Sequence, residues 1–160
     1  MNFENRLYQL VYAAASQILK ANEYEAGKNY ETDLGNYLRE WKGAVMPKED
    51  NVVFEIRDNS GAADDEQADY QHEILSYEFF VAAKNSASTA SFLRQARADI
   101  YRMIGANIDS WRATLNASLT AERGGFTREI NYEEKVFGEL TVTINFSYEQ
   151  EYFLIGEQDY

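Results

Sequence analysis

Alternation of apolar and polar positions is strongest in the last third of the chain. Leu140, Val142, Ile144, Phe146 and Tyr148 fall on every second position, with Thr141, Thr143, Asn145, Ser147 and Glu149 between them. This period of two predicts a strand with one buried and one wet face. Val, Ile, Thr, Phe and Tyr are also the side chains that pack well on a pleated surface. Upstream, Phe126, Arg128, Ile130, Tyr132 and Val136 alternate more weakly, and Gly138 lies near the expected change of direction, where a positive φ is useful. The pattern therefore predicts one long hairpin with arms at 126–137 and 139–154. Arms of about ten residues exceed the usual five or six, and such a hairpin needs a helix or further strands on its apolar face.

The rest of the chain supplies both. Phe3, Leu7, Leu10, Val11, Ala14 and Ile18 form one stripe at helical spacing, predicting a helix over 2–22 capped by Asn2. Residues 23–33 read as a polar loop. Leu34, Leu38 and Trp41 suggest a short helical segment near 31–42, ended by Gly43 and Pro47. Val52, Phe54 and Ile56 put a strand at 51–58. The acidic stretch 59–69 has no periodicity and reads as a mobile, dispensable loop. Leu75, Tyr77, Phe79 and Val81 put a second strand at 70–84, with a bulge near 74–76, because His72 and Ile74 keep the opposite phase. Phe92, Ala96, Ile100, Met103 and Ile104 mark a second main helix over 88–108, begun by Ser88 or Thr89. Residues 109–123 are ambiguous, and Gly124-Gly125 read as a break before the terminal hairpin. The order predicts a single α+β domain over 1–160, a mainly antiparallel four-stranded sheet with two main helices packed on one face.

Charge narrows the partners. The 160 residues carry 27 acids and 15 bases, a net charge of −12, which argues against binding nucleic acid by neutralising phosphates. The chain has no cysteine, which excludes disulfides and thiolate metal sites. No stretch reaches the roughly 18 apolar residues of a membrane span. Glu4 interrupts any signal-like start, so synthesis in a cytosol is expected. Twelve tyrosines suit strands and also suit protein interfaces.

The search for chemistry finds no catalytic constellation. His72 is the only histidine, and no G-x-S-x-G elbow accompanies it. Phosphate-cradling glycine motifs are absent. Asp58, Asp64, Asp65, Glu66 and Asp69 lack the spacing of a calcium loop. Glu133 and Glu134 are adjacent and so point to opposite faces of a strand, with Glu129 nearby. Arg94 and Arg97 lie about one helical turn apart and are expected to pair with nearby acids. The expectation is a non-enzyme with no catalytic, cofactor-binding or metal residues.

Several local patterns, taken together in order, resemble a known family. After an N-terminal helix, Pro47 precedes 52-VVFEI-56; then come 72-HEILSYEFFV-81, the 99-DI-100 pair inside a helix, and 140-LTVTINFSYEQEYF-153. This order is similar to that of the tail-terminator and tail-completion proteins of tailed bacteriophages. The resemblance covers nearly the whole chain, with a longer 23–46 segment and an acidic 59–69 stretch as departures. It implies a hexameric ring in the virion neck, assembled in the host cytoplasm. Such a ring caps the tail tube, stops its polymerisation and meets a neck or head-completion protein on its other face. DNA would pass through an acidic lumen without specific binding. Other neck proteins, a tail-tube subunit, an acidic adaptor domain and an unrecognised hydrolase are the alternative readings. The expected subunit interface is Tyr148, Tyr152, Phe153, Leu154 and Ile155, because a continuous apolar run offers both faces of a strand and the chain's own core covers only one. The alternative is that 23–46 folds over this run within the same chain.

Overall fold

A computed structural model describes residues 2–40, 51–66, 70–84, 89–131 and 137–151, with 59–66, 70–72 and 150–151 described through their backbone. The elements are α1 (Phe3–Ser16), β1 (Glu23–Glu25), β2 (Lys28–Asn29), a 3-10 turn (Leu34–Tyr37), β3 (Leu38–Arg39), β4 (Val52–Glu66), β5 (Tyr70–Lys84), α2 (Thr89–Leu115), β6 (Thr120–Asn131) and β7 (Phe137–Glu151). The fold is α+β, with two α-helices, a five-stranded mixed sheet in the order β3-β4-β5-β7-β6 and a separate β1-β2 hairpin. The four long strands pair antiparallel, and β3 adds a short parallel edge beside Phe54 and Glu55.

Both helices lie on one face of the sheet. The alternating residues Leu75, Tyr77, Phe79 and Val81 of β5 and Leu140, Val142, Ile144, Phe146 and Tyr148 of β7 face them and form one core. In α1, Phe3, Leu7, Val11 and Ala15 recur every fourth residue and are buried, a narrow stripe that docks the helix. Burying each large apolar side chain contributes roughly 1.5–3 kcal/mol. Asn2 caps α1 as expected, its Oδ1 accepting from Asn5 N–H at 2.9 Å. The cluster is rich in aromatics: Phe3 stacks on Tyr148 at 4.0 Å, and Trp111 and Tyr77 meet Phe146 edge-on.

Several sequence expectations change. α1 stops at Ser16 rather than near residue 22, because Ile18 turns inward and Gly35 N–H donates to its carbonyl at 2.9 Å. The 23–33 loop contains the β1-β2 hairpin, turned at Gly27 with φ +75. The expected helix near 31–42 is a single 3-10 turn followed by β3; Trp41, Gly43 and Pro47 lie outside the described residues. α2 runs on through the ambiguous segment to Leu115, where Trp111 and Leu115 are buried. Its stripe uses Leu93, which is fully buried, where the spacing pointed to Phe92, which is half-buried.

The acidic stretch is not a loop over 59–66. It continues β4, paired with β5 from Ser60 opposite Ser76 to Glu66 opposite Gln71, while 67–69 lie outside the described residues. Its missing periodicity comes from two register shifts, at Arg57/Ser60 and Ala63/Asp65, each breaking the alternation. The bulges therefore lie in β4 and not at 74–76, since β5 pairs with β7 without interruption. Gly138 is likewise not in a turn. It sits in β7 between Ala83 and Ile130, where a Cβ would lie 2.8 Å from Leu93 Cδ1 and 2.9 Å from Thr89 Cγ2. The glycine lets α2 approach the sheet.

Candidate functional site

Three features gather polar groups, and two of them are structural. On α2, Asp99 is fully buried, and its carboxylate accepts from Glu31 N–H at 3.1 Å, Thr32 N–H at 2.8 Å, Thr32 Oγ1 at 2.7 Å and Arg102 Nη1 at 3.0 Å. Arg102 also reaches Glu31 at 3.1 Å and covers the Tyr24 ring at 5.1 Å. This knot ties the segment after β2 to α2. On the opposite sheet face, Glu55 is fully buried between Arg39 at 3.1 Å and Arg57 at 3.2 Å, with Arg57 over the Phe80 ring at 4.2 Å. Beside the Asp99 knot, an open groove of about 420 Å³ is lined by Gln17, Asn22, Glu23, Tyr24, Tyr30 and Asn107, among others. Burial, and then the Asp99 charge, push the Tyr30 phenol up to about 12. The Tyr30 phenol is therefore neutral near neutral pH.

The third feature is the free edge of the sheet. Every residue of β6 from Glu122 to Glu129 is exposed. One side of β6 pairs with β7, and among the described residues no strand pairs with its other side. Gly125 has φ +100 and sits at a register shift between Arg123 and Gly125. The shift adds one residue to the strand. Arg123 and Phe126 are three apart and would otherwise point to opposite faces; with the bulge they share the helix-side face, opposite Ile144 and Val142. Arg128, opposite Leu140, joins them. Thus the glycine pair expected to break the chain instead builds a site.

At this site arginines stack on aromatic rings. Arg97 of α2 lies 3.8 Å over Phe126 and 5.3 Å over Tyr101. Arg123 lies 4.0 Å over Tyr101, and Arg128 lies 5.7 Å from Phe126. Phe126 remains 40% exposed, one of two large apolar side chains that do so among the described residues. Arg97 Nε is buried and has no hydrogen-bond partner. Among the described residues the expected acid partners of Arg94 and Arg97 are not found: no carboxylate there lies within ion-pair distance of Arg94, Arg97, Arg123 or Arg128. In a chain with 27 acids and 15 bases, such a cluster is unusual.

The residues singled out from the sequence fare differently. Tyr148 is 2% exposed and stacked on Phe3 inside the chain's own core, so the expected interface role does not extend to it. Tyr152, Phe153, Leu154 and Ile155 lie outside the described residues, as do Glu133 and Glu134. His72 stands in β5 in register with Asp65 and Glu149. Among the described residues no group of three or more His, Asp or Glu is placed to hold a metal ion. The arginine cluster was hidden from a spacing argument, because its members come from two elements and one bulge. No family model matches the sequence, and no curated protein matches it.

Proposed function

We propose that this chain is a structural ring subunit of the tail-terminator type, a virion protein that caps a phage tail tube and joins it to the neck. One observation carries the reading: the sheet is open at both ends of its strand order. At one end stands the exposed β6; at the other, β4 beyond Glu55 has no outer neighbour among the described residues. Two different open edges on one domain favour head-to-tail contacts, and such contacts close into rings when the rotation allows. A closed ring removes both edges and with them the hazard of promiscuous strand pairing. Six copies of a chain of net charge −12 make an acidic ring whose lumen would repel passing DNA. The tail-tube protein on one face and a neck or head-completion protein on the other are the proposed partners.

The test is electron microscopy of the purified protein mixed with tail tubes, together with its solution mass. Rings of six at tube ends support the reading. A protein that stays monomeric and leaves tubes uncapped favours the adaptor alternative.

A further inference from the structure

The groove beside the Asp99 knot is lined from the end of α1, the β1-β2 hairpin and α2, and holds about 420 Å³. Its hydrogen-bonding groups are mostly turned one way. Asn22 Nδ2 donates to the Gln17 carbonyl at 3.0 Å and to Gln17 Oε1 at 3.2 Å, so both of its N–H groups are used within the chain. Asn107 Nδ2 donates to the Met103 carbonyl at 2.8 Å. A backbone carbonyl only accepts, so these contacts fix which end of each amide is the oxygen. Asn22 Oδ1 and Asn107 Oδ1 then have no donor among the described residues, and neither is enclosed. Tyr30 is only 7% exposed, yet its hydroxyl has no partner among the described residues and is not enclosed either. Among the described residues the only charged side chain in the lining is Glu23, which forms no ion pair there. The nearby cations Arg102 and Lys28 are engaged by Asp99, Glu31 and Glu25. The Tyr24 and Tyr30 rings stand 5.5 Å apart, and Arg102 already places a cation 5.1 Å from Tyr24.

We infer that this groove binds an alkylammonium group, the chemistry shared by the lysine side chain of a partner peptide and a free aliphatic amine. An ammonium donates three hydrogen bonds and accepts none, the complement of two amide oxygens, a carboxylate and a phenol oxygen. Tyrosine rings attract a cation through their faces and offer the alkyl stem an apolar surface. An anion would meet Glu23 with no cation in the lining to offset it. A sugar is the weaker occupant, because it needs donors from the wall and Asn22 has none left to give. The site does not depend on whether the chain forms rings.

Titration of the isotope-labelled full-length protein with butylammonium, followed by nuclear magnetic resonance, tests this. Butanol and butyrate at equal ionic strength are the neutral and anionic controls. Saturable shifts of the Asn22 and Asn107 side-chain amides and of the Glu23 backbone amide are expected with the ammonium and with neither control. Glu23→Gln changes an exposed hairpin residue and should keep the fold by circular dichroism while weakening binding about five-fold, the upper range for an exposed ion pair. Asn107→Leu should weaken it as well. Acetyl-lysine methylamide and putrescine separate the two sources: tighter binding of the first assigns the site to a peptide side chain, tighter binding of the second to a free amine, and either supports the inference. No saturable shift with any amine, equal response to butanol, unchanged affinity in the folded Glu23→Gln, Asn107→Leu double variant, or binding of glucose in place of the amine overturns it. Ring formation is read separately, from solution mass, and none of these outcomes bears on it.

Discussion

Replacing Asp99 by alanine removes the acceptor that holds the segment after β2 against α2. Thr32 N–H and Thr32 Oγ1 donate to this carboxylate at 2.8 and 2.7 Å in a buried setting, and Glu31 N–H reaches it at 3.1 Å. Each buried donor left without a partner costs about 1–3 kcal/mol. Two fully buried donors and one partly buried donor therefore put Asp99→Ala at about 3–5 kcal/mol. That is a large share of the roughly 5–15 kcal/mol of a typical domain. Asp99→Asn retains one acceptor oxygen but loses the charge-assisted bonds, so about 1.5–3 kcal/mol is expected. Arg102→Ala should cost about 1–3 kcal/mol, less than Asp99→Ala, because it takes the cation from the fully buried Asp99 while the Glu31 and Thr32 donors remain. Urea denaturation followed by circular dichroism gives the three values as midpoint shifts at unchanged slope. The reasoning fails if Asp99→Ala costs less than about 1 kcal/mol, or if Arg102→Ala costs as much as Asp99→Ala.

Two further predictions concern packing and pH. Gly138→Ala brings a Cβ within 2.8 Å of Leu93 Cδ1 and should destabilise by about 1–3 kcal/mol, since a side-chain end can partly yield. Gly35→Ala should cost more in the same denaturation series, because its Cβ would overlap the Ser16 carbonyl, which is backbone and cannot yield; equal costs would contradict this. The fold holds the Tyr30 phenol at about 12, above the roughly 10 of an unfolded tyrosine. Because the folded pKa is raised, this contribution is complete below about pH 10 and is lost as pH rises toward about 12. Urea midpoints measured across that window should fall less steeply for Tyr30→Phe than for the wild type. Phenolate absorbance showing every tyrosine ionising at its ordinary value in the folded protein would refute the assignment.

How much was legible in the sequence follows from how local each signal is. The strand 70–84 emerges with both ends correct, because β5 is a central strand with regular pairing on both sides. The β7 alternation is legible for the same reason. β4 was cut short at Asp58, because two bulges scramble its alternation and a polar composition then reads as loop. Residue type alone reads Gly124 and Gly125 as a break and Gly138 as near a change of direction. Their roles depend on what a Cβ would strike or on a bulge, and neither leaves a periodic trace. Asp99 was visible within a D-I pair, but its partners lie 67 and 68 residues away. The arginine–aromatic cluster is another long-range product, assembled from α2 and β6 across a chain reversal.

β6 itself gives the proposed assembly a physical motive. Ordering a residue's backbone costs roughly 1–2 kcal/mol, and in most strands burial on at least one face offsets that cost. In β6 the eight residues from Glu122 to Glu129 are exposed, so ladder bonds to β7 and ring stacking by the arginines bear the cost between them. Stacking of an exposed cation on a ring supplies only about 0.5–1 kcal/mol, too little to offset the ordering of a strand. A second strand on the outer edge would bury Phe126 and complete the ladder. In the isolated chain the charge of the arginines guards an open edge against indiscriminate pairing.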